Sequence, residues 1–149
     1  EVFAAIIKEA EKYLGYPYVW GGSSPSTSFD CSGFVSWVIN HSGWDVGRLG
    51  AQGLCNICTP VSSANVKPGD LVFFTGTYDT PGVSHVGIYV GNNMMIHCGD
   101  PISYANLNSS YWQSHSLPLM ALAVKESERY EPENYEAPWR AGEEQRQNL

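Results

Sequence analysis

The sequence predicts an α+β fold, on three observations. Two stretches of helical periodicity lie in the first forty residues, short apolar strands follow from Leu71, and the last strands are joined by the tight turn Gly91-Asn92-Asn93. Helices followed by an antiparallel meander place the two in separate layers around one core. With 149 residues, 43% hydrophobic and 13% aromatic, the chain has ample material for a single globular core, and disorder of the whole chain is excluded.

In the opening stretch Val2, Phe3, Ile6, Ile7, Ala10 and Leu14 fall on one helical face, and Gly15 and Pro17 stop it. A Gly/Ser/Pro-rich loop, "GGSSPSTS", then leads to Asp30, an N-cap residue ahead of a second helix carrying Phe34, Val35, Val38 and Ile39 and ended near Gly43. Cys31 therefore lies in that helix's first turn. Residues 45 to 69 have weak periodicity and read as a loop with one short helix, closed by Pro68-Gly69. The strands are "LVFF", "HVGIYV" and "MMIHC", with "LMALAV" supplying one more after a polar stretch from 101 to 118. The folded domain is expected over residues 1–124. The remainder, 125–149, is an acidic tail with seven glutamates, whose composition does not fold by itself; Tyr130, Tyr135 and Trp139 are its candidate anchors.

The net charge is −7 and no Lys/Arg cluster occurs, which excludes an electrostatic footprint for nucleic acid or anionic lipid. No apolar stretch approaches the length of a membrane span. The first residues carry neither a start methionine nor a signal-peptide layout, so the segment is expected to come from a longer protein. Four cysteines, Cys31, Cys55, Cys58 and Cys98, are too few for a disulfide scaffold at this length.

A helix N-terminus presents unpaired N–H groups and a partial positive charge, which favour a thiolate, so Cys31 is a candidate nucleophile. Its neighbour Gly33 leaves room for a substrate backbone. The histidines extend the pattern. His85, Gly87 and Tyr89 share one face of their strand, and Met95, His97 and Gly99 share one face of the next. With a three-residue turn, Val90 faces Met94, and His85 lies opposite Gly99 and diagonal to His97, within roughly 7 to 8 Å at the Cα level. A two-residue turn would reverse the parity. His41 and His115 show no such relation and read as surface residues. A thiol on a helix, an imidazole base on a strand and a second group to orient that imidazole form a cysteine-hydrolase constellation.

These residues also resemble a family. The segments "YLGYPYVWGGSSPSTSFDCSGFVSWV", "VKPGDLVFF" and "SHVGIYVGNNMMIHC" are similar, in order and separation, to NlpC/P60 cell-wall cysteine endopeptidases. The resemblance is strong over residues 1–98, continues weakly through "YWQSHSLPL" and lapses in the tail. With "GLCNICTP" included it extends to the peptidase half of bifunctional wall hydrolases carried on conjugative elements. It implies a papain-like fold in which Cys31 is the nucleophile, His85 the base and His97 the residue that shares the Nδ1 proton of His85. Tyr18 matches a tyrosine that assists at the oxyanion, with packing in the core as the alternative. Asp30 and Ser32 match contacts to the amine end of the peptide, although by spacing either is equally a helix N-cap. Arg48 and Gln52 lie where similar sequences line the cleft, and a solvated arginine is the plainer reading of Arg48.

The resemblance implies acyl transfer on the peptidoglycan stem peptide at the bond joining D-glutamyl to a diamino acid, with no cofactor and no metal. It also implies an extracellular or wall-associated place of action and an upstream glycan-cutting or targeting module. An amidase or acyltransferase on the same scaffold, and a wall-peptide binding module without turnover, are the alternatives. Cys55-Asn56-Ile57-Cys58 lacks the further ligands in order that zinc needs and the βα unit that a thioredoxin-like role needs, so it reads as a local disulfide or plain thiols. Most of the five tryptophans and nine tyrosines read as core residues, and no carbohydrate site is claimed for them.

Overall fold

The structure, a computed structural model, describes residues 2–62, 64–117 and 120–122. The tail at 125–149 and its three aromatic residues lie outside them. In chain order the elements are α1 (Val2–Glu11), β1 (Ser23–Ser24), β2 (Ser28–Phe29), α2 (Cys31–Asn40), α3 (Ala51–Asn56) and β3 (Cys58–Pro60). Then come β4 (Leu71–Thr75), β5 (Val83–Gly91), β6 (Met94–Cys98), β7 (Ile102–Asn106), α4 (Ser110–His115) and β8 (Met120–Leu122). β1 and β2 form a small hairpin, and the other strands make one antiparallel sheet in the order β3-β8-β4-β5-β6-β7.

Helices α1 to α3 cover one face of this sheet, as the α+β expectation requires. Ile6, Ile7 and Ala10 of α1 and Phe34, Val35, Val38 and Ile39 of α2 are fully buried with Leu71, Phe73, Val86, Ile88 and Ile96. Leu14 departs from the expected face and is 40% exposed, because α1 ends at Glu11 and the chain leaves it through turns to Gly15 at φ +88°. A smaller cluster of Val72, Phe74, Tyr89 and Met95 occupies the opposite face, where Trp112 of α4 covers it.

The β5–β6 pairing decides what the sheet presents. Ile88 pairs with Ile96 and Tyr89 with Met95, which is the expected register. The connection, however, is not the expected three-residue turn. Asn92 and Asn93 form its two corners, at φ 56° and 53°, while Gly91 at φ 89° pairs with Met94 in place of Val90. Two left-handed corners match the twist of the strands, and a bulge at Val90 absorbs the extra residue. The bulge cancels the parity reversal that a two-residue turn alone would impose, so His85 and His97 share a face.

Three local structures leave little trace in the sequence. β7 is an edge strand whose alternation rests on the buried Ile102, its other residues being half-buried or exposed. α4 is a six-residue helix capped by Ser109, whose side chain accepts from the N–H of Trp112. β3 has only three residues, and its pairing with β8 supplies what periodicity cannot.

Candidate active site

The first turn of α2 is built around Asp30. Its Oδ1 accepts from the N–H of Gly33 at 2.7 Å, and its Oδ2 accepts from the N–H of Gly21 at 3.1 Å. Arg48 Nη2 donates to both carboxylate oxygens at 3.0 and 3.1 Å, Arg48 Nη1 donates to Ser32 Oγ at 3.0 Å, and Ser32 Oγ donates to Asp30 Oδ1 at 3.3 Å. Asp30, Ser32 and Arg48 thus form one network, in which Asp30 is the N-cap and Ser32 lies inside the helix. Arg48 is an ion-pair partner rather than a free solvated cation. Gly33 serves a contact different from the expected one: a Cβ there would lie 2.0 Å from the carbonyl oxygen of Gly22. The glycine admits the chain's own loop against the helix.

Cys31 opens α2 and is 7% exposed. Its Sγ lies 3.9 Å from the carbonyl oxygen of Ser84, on the β5 backbone beside His85. Burial and the nearby Asp30 carboxylate push this thiol up, against the pull of the backbone N–H groups of Ser32, Val86 and Cys31 itself. The favourable helix end expected from sequence is therefore outweighed, and the resting sulfur is a thiol.

The two histidines meet directly. His85 Nε2 and His97 Nδ1 are 2.9 Å apart, with the rings edge-on at a centroid distance of 5.1 Å. The expectation that His97 holds Nδ1 of His85 is corrected here: His97 engages Nε2, which leaves Nδ1 as the nitrogen available to a thiol. Gly87 makes this pairing sterically possible, since a Cβ there would lie 2.5 Å from Met95 Sδ and 3.3 Å from His97 Cβ. Burial lowers His97 to about 4, and burial, then the neighbouring His97, lowers His85 to about 3. Both imidazoles are neutral near pH 7.

One cleft of about 450 Å³ is lined by Tyr18, Cys31, His85 and His97, together with Tyr78 and Trp112. Tyr18 is half-buried in its wall, and its backbone N–H donates to Asp100 Oδ1 at 3.1 Å. Burial, then the neighbouring Cys31 and Asp30, raise its phenol well above the ordinary tyrosine value, so it is a proton-bearing hydroxyl. Like Arg48, Asp30 and Ser32, Gln52 stands apart from the cleft lining. Its Oε1 accepts from the N–H of Val83 at 3.0 Å and its Nε2 donates to Asn56 at 3.1 Å, a tether between α3 and the start of β5. A thiol, an imidazole pair and a protonated phenol around one cleft can carry out acyl transfer.

The remaining candidates are placed elsewhere. Cys55 in α3 and Cys58 in β3 are half-buried free thiols, and neither lines the cleft. Among the described residues, no three His, Cys, Asp or Glu side chains are grouped to hold a metal ion. His41 is exposed and stacks on Trp37, while His115 is half-buried and accompanies Tyr111. Trp112 was missed by sequence reasoning, because α4 is too short to show a period. Gly87 was legible only as part of the strand carrying His85, and its service to His97 follows from the register.

Comparison with known proteins shows the family of the chain. The chain is 45% identical over 116 residues to the bifunctional muramidase/DL-endopeptidase CwlT of Bacillus subtilis, spanning 77% of this chain and 35% of that protein. It is 40% identical over 111 residues to the gamma-DL-glutamyl hydrolase of the same organism, spanning 73% of this chain and 27% of that one. Its fold superposes with a TM-score of 0.79 on a Staphylococcus aureus protein described as similar to lipoprotein, NLP/P60 family, at 42% identity over 83% of this chain and 42% of that chain. The chain thus spans about a third or less of the length of these curated relatives. The NlpC/P60 family model matches residues 15–120, from the turn after α1 into β8, and the chain belongs to the NlpC/P60 family.

Proposed function

We propose that this domain is a peptidoglycan hydrolase that cuts the stem peptide through a cysteine nucleophile, at the bond between γ-D-glutamyl and the diamino acid. The observation that carries the reading is the His85 Nε2–His97 Nδ1 hydrogen bond in the cleft that also holds Cys31. The names of the two relatives, a DL-endopeptidase and a γ-DL-glutamyl hydrolase, support the bond type.

The reaction starts from a neutral pair. His85 Nδ1 takes the Cys31 proton as the sulfur attacks the amide carbon, and His97 steadies the ring through Nε2. The Cys31 backbone N–H and the Tyr18 hydroxyl stabilise the oxyanion. His85 then gives its proton to the leaving amine, a thioester remains on Cys31, and water activated by His85 resolves it. Asp30 and Ser32, on either side of the nucleophile in the chain, receive the amine end of the bound peptide, and Arg48 holds the Asp30 carboxylate. Gln52 acts at a distance by holding the start of β5. The chemistry needs no cofactor, and its substrate places the enzyme outside the cell membrane, in company with a further wall-hydrolase or targeting module of the full-length protein.

The test is to incubate the domain with intact peptidoglycan and identify the new termini by mass spectrometry. A new γ-D-glutamyl carboxyl and a new diamino-acid amine are expected. An amidase product would move the reaction to another bond on the same scaffold, and the absence of products would make the domain a binding module.

A further inference from the structure

We infer that Trp112 is a positioning residue for the reaction proposed above, on which this inference rests: its indole closes one side of the His85–His97 pair to water, away from the cleft opening, and fixes the face of the base. The indole stacks on His85 at a centroid distance of 5.3 Å and 21° between planes, and it meets His97 edge-on at 5.2 Å and 84°. One side chain therefore touches both imidazoles. Trp112 also lines a second cavity of about 220 Å³ with Phe74, Leu107 and Leu117, while lining the cleft with Cys31. It is the partition between the two spaces, and its removal would open the histidine pair to the second cavity.

The partition is braced from several sides. The backbone N–H of Trp112 donates to Ser109 Oγ at 3.4 Å, Gln113 Nε2 donates to the carbonyl of Leu107 at 2.7 Å, and the rings of Phe74 and Tyr111 pack on the indole at 4.6 and 4.9 Å. Two opposing effects reach His85 from this wall. An aromatic face attracts a cation by about 0.5–2 kcal/mol, which favours imidazolium. Loss of water disfavours it, and burial is the first cause of the lowering of His85 to about 3 and of His97 to about 4, with the indole as one of the groups packed on the pair. Desolvation wins, and the wall keeps the base unprotonated.

The titratable groups around His85 are His97 from β6, Cys31 from α2, Asp100 from the β6–β7 connection and the phenols of Tyr18, Tyr78 and Tyr111. β4 contributes only Phe74 opposite it. All of these groups are retained when Trp112 alone is changed.

The experiment compares Trp112→Ala, Trp112→Gln and Trp112→Phe with wild type. kcat/KM on a stem-peptide fragment is measured against pH, and the histidine ring protons are titrated by NMR in a Cys31→Ala background. For Ala and Gln, the acid limb and the histidine midpoints should rise by on the order of one to two pH units. kcat should fall by about tenfold, with a smaller change in KM. Phe, which keeps an aromatic wall, should restore most of both. Gln retains bulk while admitting water, so a misfolded Ala variant does not end the test. Midpoints and acid limb that stay at wild-type values in Ala or Gln, or a Phe variant as impaired as Ala, would overturn the inference. A wild-type domain that cuts no wall peptide while its histidine midpoints still follow Trp112 would remove the proposed reaction and uphold the desolvating wall. An active wild type with unmoved midpoints would do the reverse.

Discussion

The start of α2 and the paired strands β5 and β6 bring reactive side chains to the same cleft by different physics. Around Cys31 the scaffold is polar and charged: one carboxylate caps the helix, binds a loop N–H and holds a guanidinium through both oxygens. Around His85 and His97 it is steric and apolar, with Gly87 removing a side chain and Phe74 and Trp112 supplying rings. Local hydrogen bonds can aim a side chain at a helix end within a few residues. Two strand side chains can be aimed only by register and packing, over tens of residues. The difference predicts that the nucleophile's place survives local substitution, while the base is sensitive to anything that alters the sheet or its wetting.

The largest effect is expected at the helix end. Cys31→Ala should reduce wall hydrolysis by on the order of 10⁴-fold or to background, because no other group replaces a covalent nucleophile. The circular dichroism spectrum and melting temperature should stay close to wild type, since the cap network does not involve the sulfur. Residual activity above about a tenth of wild type would remove Cys31 from the reaction.

On the other side of the comparison, His97 acts through one hydrogen bond to His85 Nε2. His97→Gln still offers an acceptor near that nitrogen and should keep a measurable fraction of the rate. His97→Leu offers none and should lose on the order of a hundredfold or more. Steady-state rates on a purified stem-peptide fragment decide the matter, and equal rates for the two variants would reduce the site to a Cys31–His85 dyad.

The same contrast explains what was legible in the sequence. Asp30 before an apolar period marks both the helix start and the thiol's position, because capping is local. The pairing of His85 with His97 was also legible, but its detailed route was not. Strand alternation is local, whereas the bulge at Val90 is a compromise between the two left-handed asparagines and the buried faces of both strands. Leu14 was misread because periodicity does not locate the residue at which a helix stops. β7, α4 and the role of Trp112 were invisible for a related reason, since each depends on partners supplied by the sheet rather than on its own pattern.

A third prediction concerns stability and separates the two regions by pH. An unfolded histidine titrates near 6.5, while the folded pair is lowered to about 3 for His85 and about 4 for His97. Between those limits the unfolded chain binds more protons than the folded one, so stability is fully present above about 6.5 and is lost as pH falls toward 4. The loss should be on the order of a few kcal/mol. Thermal melts at pH 7.5 and 5 should show it, and a His85→Gln/His97→Gln double variant should flatten the dependence. An equally steep dependence in the double variant would place the pH response elsewhere in the chain.

The smallest effect is expected at Cys55 and Cys58, which belong to neither scaffold. Both pack beside the main core as half-buried thiols, and burial pushes Cys58 up to about 12 and raises Cys55 as well. A thiol held in that state is a poor nucleophile and a poor metal ligand, because both roles need the thiolate. What the pair contributes is packing of α3 and β3 against the core. Replacing both with serine exchanges a weakly polar sulfur for a hydroxyl that burial disfavours, which should cost about 1–2 kcal/mol in total. The tether from Gln52 to Val83 leaves from the exposed side of α3 and does not involve either sulfur. The start of β5, and with it the rate, should therefore be retained. Chemical denaturation and stem-peptide hydrolysis of the Cys55→Ser/Cys58→Ser variant measure the two quantities separately. Loss of activity from a folded variant, or stoichiometric zinc in the purified wild-type protein, would show that these thiols do more than pack.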